Sequence, residues 1–71
     1  MPRLILKVAI DAPLRHLFDY LPLFNVPPPT VGCRVRVPFG RRSQVGLVVA
    51  HARHAEVADA QLRHIHEPLD S

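Results

Sequence analysis

The sequence predicts a mainly β fold, a small OB-like or SH3-like barrel of about five short strands with a proline-rich loop and one short helical turn. Three observations carry this expectation. Apolar and polar residues alternate with a period of two in several short segments. Turn signals separate those segments, supplied by eight prolines and three glycines. The chain has 71 residues, enough for a single small domain. A domain of this size buries only about 60% of the surface its unfolded chain exposes.

Each element follows from its residues. Residues 4–10 place Leu4, Leu6, Val8 and Ile10 on one face and Ile5, Lys7 and Ala9 on the other, and Pro13 ends this first strand. Residues 17–21 form a short aromatic second strand, with Phe18 and Tyr20 sharing a face and Asp19 pointing the other way. Pro22 and the run Pro27-Pro28-Pro29 mark an extended, polyproline-like loop. In residues 33–37, Cys33, Val35 and Val37 alternate with Arg34 and Arg36, giving one apolar and one cationic face. Pro38-Phe39-Gly40 ends that strand, Arg41-Arg42-Ser43 makes a basic tip, and residues 44–50 return. Val45, Leu47 and Val49 are expected to share the core with Cys33, Val35 and Val37, and Gly46 marks a bulge or a close backbone approach. Residues 55–61 are helix formers, sufficient for one or two turns. Residues 62–69 either extend that helix or form a fifth strand that closes the barrel.

Charge and cysteine usage bound the function. The net charge is +3, and Lys7 is the single lysine among nine cations. No acid falls between Tyr20 and Glu56, a stretch holding Arg34, Arg36, Arg41, Arg42 and Arg53. Such a local field attracts phosphate backbones, although a merely solvated surface has the same composition. The lone Cys33 excludes an internal disulfide and points to a reducing compartment. The N-terminal apolar stretch is too short, and too interrupted by Arg3 and Lys7, for a signal peptide or a membrane span. A cytoplasmic protein with no membrane partner is expected.

Catalytic constellations are missing. The sequence has no GxxxxGK[ST] phosphate loop, no nucleophile elbow and no paired carboxylates at useful spacing. His51-x-x-His54 and His64-x-His66 could supply ligand pairs, but no Cys, Asp or Glu stands at ligand spacing, so no metal site is expected. The residues alone leave three readings open. One is a binder of nucleic-acid ends. The second is a single-stranded nucleic-acid barrel indifferent to ends. The third is a protein-interaction barrel docking through the Pro27-Pro28-Pro29 loop or a strand edge.

Three segments decide among these by likeness. Residues 12–20 (APLRHLFDY), 32–40 (GCRVRVPFG) and 45–49 (VGLVV) resemble, in order and spacing, the extreme N-terminus of the primosomal protein N′ (PriA) family of bacterial replication-restart helicases. The stretch NVPPP at 25–29 departs from the shorter linker of that family. The resemblance implies a non-catalytic DNA-binding module, the N-terminal piece of a larger helicase. It implies recognition of the 3′ end of the nascent leading strand at arrested forks and orientation of the helicase for primosome assembly. By motif, Phe18, Asp19, Tyr20 and Gly40 would form the pocket for the 3′-terminal nucleotide, joined by Arg63 ahead of the last strand. Arg41 and Arg42, at the basic tip, would meet the DNA backbone. A carboxylate at Asp19 would accept a hydrogen bond from a 3′-hydroxyl and repel a 3′-phosphate or a continuing chain. The implied partners are single-stranded or forked DNA with a free 3′-hydroxyl, the helicase body of the same chain and other primosome proteins. ATP and zinc would belong to the remainder of that larger protein, with no cofactor in this piece. The resemblance also favours a strand over residues 62–69.

Overall fold

The computed structural model describes residues 3–12 and 16–70. Pro13, expected to end the first strand, and Leu14 and Arg15 of the first matched segment lie outside the described residues. Among the described residues six strands follow one another: β1 Ile5–Ile10, β2 Phe18–Leu21, β3 Arg34–Phe39, β4 Arg42–Ala52, β5 Arg63–His64 and β6 Glu67–Pro68. They form one sheet in the order β5-β2-β1-β4-β3-β6, antiparallel except where β5 runs parallel to β2.

The sheet must curl into a barrel, because its two outer strands are almost contiguous in sequence. Only Ile65 and His66 separate β5 on one edge from β6 on the other. Three peptide units span about 10 Å when extended, so the edges are held together. Ile65 N–H donates to Leu21 O at 2.9 Å on the β2 side, and His66 N–H donates to Arg36 O at 2.7 Å on the β3 side. The expected closing strand over 62–69 is thus split into two short strands around Ile65, which is buried. Of the helical turns expected over 55–61, a 3₁₀ turn at Asp59–Gln61 is present.

The core is apolar and continuous. Leu6, Val8, Ile10, Tyr20, Val35, Val37, Val48 and Ile65 are buried together. Val35 and Val37 point inward, and Arg34 and Arg36 point outward, as the alternation requires. Cys33 is half-buried rather than buried, with its Sγ 3.2 Å from Thr30 Oγ1.

The returning strand corrects the sequence reading. Val45 and Leu47 are exposed, and it is Gly46 and Val48 that face the core. The reason is the length of the hairpin loop. Phe39 pairs with Arg42 around the two residues Gly40-Arg41, so odd positions of β3 oppose even positions of β4. Val35 therefore faces Gly46, and Arg36 faces Val45. The basic tip is shorter than expected, since Arg42 and Ser43 already belong to β4. Pro38 does not end β3. Beside a two-residue loop the pair Phe39–Arg42 exchanges both ladder bonds, so at Pro38 the backbone points away from β4 and no bond is lost.

Gly46 is a close-approach site. A Cβ there would overlap Val8 Cγ1 and lie 3.0 Å from Ala9 O. The bulge falls three residues later. Lys7 opposes Ala50 and Val8 opposes Val48, leaving Val49 as the extra residue. That bulge lets the 11-residue β4 bend from β3 to β1.

Two histidines hold the proline-rich loop. A proline carbonyl can only accept, and His64 Nδ1–H donates to Pro22 O at 2.7 Å while His51 Nε2–H donates to Pro29 O at 2.7 Å.

Candidate nucleic-acid interface

β5 pairs with β2 only at Tyr20 and Leu21, so the edge of the sheet stands open beside Phe18 and Asp19. A cleft of about 400 Å³ occupies this opening. Phe18, Asp19 and Tyr20 of β2, Gly40 of the hairpin turn and Arg63 of β5 all line it. Five residues from three separated parts of the sequence are thereby brought to one place. Arg41 and Arg42 are not in its lining, although Arg41 follows Gly40 directly and both are exposed.

Sequence reasoning missed the other walls. His16, Leu17 and Phe39 extend the aromatic side, and Glu56, Val57 and Gln61 line the cleft from the segment after β4. Phe39 and His16 stand inside the matched segments and could have been read as their neighbours were. Glu56, Val57 and Gln61 carry no signal, because a loop following a strand has no periodicity.

The aromatic side is a packed cluster. Phe18 meets Phe39 edge-on at 5.0 Å and 87°, and His16 lies tilted on Phe18 at 4.3 Å. Both phenylalanines are half-buried and rest against the core, so the cluster is supported from below. Such rings form a surface on which a base can stack without regard to its identity.

Tyr20 plays a different part. Its ring is buried, and its hydroxyl donates to Pro38 O at 2.6 Å, joining β2 to β3 across the barrel. Burial pushes its phenol pKa above the ordinary 10.0, against a smaller opposing pull from the Arg63 charge. Gly40 has φ 61°, and a Cβ there would meet nothing within 4 Å. Glycine is needed at this position for the left-handed conformation of the first residue of a two-residue hairpin loop.

Each carboxylate oxygen of Asp19 accepts one hydrogen bond. One carboxylate oxygen accepts from Lys7 Nζ at 2.6 Å, and the other accepts from the Glu56 backbone N–H at 2.6 Å. Its side chain is 3% exposed.

The cations divide into two groups. Arg34 pairs with Asp70, Arg36 with Glu67, Arg3 with Asp59 and Lys7 with Asp19. Among the described residues, Arg41, Arg42, Arg53 and Arg63 have no carboxylate partner. The cationic face read from β3 is therefore spent on fastening β6, and the unpaired cations are at the turn, at the end of β4 and at the cleft. No helix among the described residues is long and apolar enough to cross a membrane. Among them, no group of three His, Cys, Asp or Glu side chains is placed to hold a metal ion.

A small barrel with aromatic rings, a glycine turn and an arginine around one open cleft has the make-up of a platform for nucleic acid. Comparison with known proteins narrows the class. The model of the family described as 3′DNA-binding domain (3′BD) of PriA matches residues 7–71, and the chain belongs to that family. It is thus a DNA-binding module and not an enzyme. It is 38% identical over 66 residues to the replication restart protein PriA of Haemophilus influenzae, covering 93% of this chain and 9% of that protein. It is 33% identical over 69 residues to the replication restart protein PriA of Buchnera aphidicola subsp. Acyrthosiphon pisum, covering 96% of this chain and 9% of that protein. The chain thus spans about a tenth of the length of these relatives.

Proposed function

We propose that this domain captures the free 3′-hydroxyl end of a DNA strand in the cleft beside β2, as the end-sensing part of a longer replication-restart protein. The observation that supports this reading is the convergence of Phe18, Asp19, Tyr20, Gly40 and Arg63 on one cleft. Its volume, about 400 Å³, falls in the range of small-ligand sites, about 300–1,000 Å³. The terminal base stacks on the Phe18–Phe39 cluster, which asks nothing of its sequence. Asp19 has acceptor sites left beyond the two bonds it makes, and uses them for a hydroxyl or a base N–H. A 3′-phosphate in the same place sets its own acceptor oxygens against carboxylate lone pairs, with no hydroxyl to donate between them, and is rejected. Arg63 neutralises the last internal phosphate, and Arg41 and Arg42 meet the backbone further along.

In this reading the domain directs a helicase body in the same protein to the leading strand of an arrested fork, where other primosome proteins assemble. ATP and zinc are held by that body. The test is a fluorescence anisotropy titration with one oligonucleotide in two forms, ending in a 3′-hydroxyl or a 3′-phosphate. The hydroxyl form is expected to bind about tenfold more tightly, the scale of one lost charged hydrogen bond. Equal affinity for the two would reduce the domain to a single-strand binder without end recognition.

A further inference from the structure

Lys7 does not line the cleft, but it is bonded to Asp19, which does. Lys7 and Asp19 stand directly opposite each other on β1 and β2. The Lys7 side chain is 15% exposed and the Asp19 side chain 3%. A carboxylate so withdrawn from water is tolerated only when it is both neutralised and hydrogen-bonded. Lys7 supplies the charge through Oδ1, and the Glu56 N–H supplies the second bond through Oδ2.

Glu56 opens the segment after β4 that gives the cleft a wall, with Val57 and Gln61 lining it as well. The wall is therefore hung from Asp19, and Asp19 is held by Lys7. The other strap on this segment, Arg3 to Asp59 at 2.8 Å, is solvent-exposed at both ends and contributes little.

We propose that Lys7 is a positioning residue of the cleft, which fixes the Asp19 carboxylate so that one oxygen anchors the 56–61 wall while its remaining lone pairs serve the bound end. This rests on the reading of the cleft as the site of the 3′-terminal nucleotide, but its structural half is testable without DNA.

The experiment compares Lys7→Met, Lys7→Gln and Lys7→Arg in the present chain. Glutamine keeps a donor for Oδ1 without the charge, and so provides a second reading should methionine unfold the domain. In the free domain, amide exchange at Glu56 should accelerate at least tenfold in the methionine and glutamine variants, while Val8 and Val48 stay protected. Lys7→Arg should restore protection. With a 5′-fluorescein oligothymidine ending in a 3′-hydroxyl, the same two variants should bind about tenfold more weakly and arginine should recover the affinity. Arg3→Ser should leave both readouts within twofold of the parent. Glu56 exchange within twofold of the parent in Lys7→Gln would overturn the proposal. Should the parent itself fail to distinguish a 3′-hydroxyl from a 3′-phosphate, the end-binding reading fails, and accelerated Glu56 exchange would still establish Lys7 as the support of the cleft wall.

Discussion

At the scale of the residue, the FDY triplet divides its labour. Phe18 presents a supported ring, Asp19 organises the wall, and Tyr20 closes the barrel through Pro38. The last role gives a prediction. Tyr20→Phe keeps the ring but leaves the carbonyl of buried Pro38 without its donor, and should cost about 1–3 kcal/mol of folding free energy. For a domain this small that is a fall of roughly 4–8 °C in melting temperature per kcal/mol, read by circular dichroism. The pH dependence has a definite sign. The folded phenol pKa is raised by burial, so its contribution is complete below pH 10.0 and is lost as pH rises through the raised value. The parent should therefore weaken in alkali more than Tyr20→Phe does. An alkaline profile identical in the two would place the phenol outside the folding equilibrium.

At the scale of the element, alternation in β1 and β3 was legible, because one strand carries its own period. The facing of β4 was not. It is set by the two-residue loop Gly40-Arg41, and one further residue in that loop would have brought Val45 and Leu47 inward. No pattern inside β4 distinguishes the two registers, since Val45, Leu47, Val48 and Val49 satisfy either face. The split of the closing segment was likewise invisible, as two strands of two residues each have no periodicity. Their attachment is readable only in three dimensions. Asp70 accepts from Arg34 Nη2 at 3.0 Å, from Nε at 3.3 Å and from the Arg34 backbone N–H at 2.8 Å, clamping the end of the chain to β3. The Arg34 side-chain and backbone hydrogen bonds hold the Asp70 carboxyl below its usual pKa of 3.8. Its stabilising effect is thus complete above pH 3.8 and fades as pH falls below that. Asp70→Asn should release β6, visible as faster amide exchange at Leu69, whose N–H donates to Arg34 O at 2.9 Å. It should also flatten the acid limb of the stability profile. Unchanged exchange at Leu69 would mean that the backbone ladder alone secures β6.

At the scale of the whole molecule, the useful quantity is not net charge but which cations are already answered. The sequence displayed a run of arginines without acids and could not say that Asp70 and Glu67 return from the far end of the chain to meet Arg34 and Arg36. That Phe18, Asp19, Tyr20 and Gly40 share one cleft was legible because they stand in matched segments, whereas Arg63 stands outside those segments and reaches the cleft through its pairing with Tyr20. The Lys7–Asp19–Glu56 arrangement was not legible, because it joins β1, β2 and a loop through a register that only the folded sheet sets. The charge division gives the last prediction. Arg41→Ser with Arg42→Ser removes two exposed cations that bind no carboxylate among the described residues. It should leave the melting temperature nearly unchanged and reduce the slope of log affinity against log salt by about 1.4, at roughly 0.7 per phosphate contact on a single strand. Arg34→Ser with Arg36→Ser should do the reverse, loosening β6 while leaving the salt slope as it was, because those charges are neutralised within the domain. A slope that falls with the second pair and not with the first would place the DNA backbone across the outer face of β3. The strand would then have to displace Asp70 and Glu67 to bind, and affinity would rise in Asp70→Asn, where the arginine is already free.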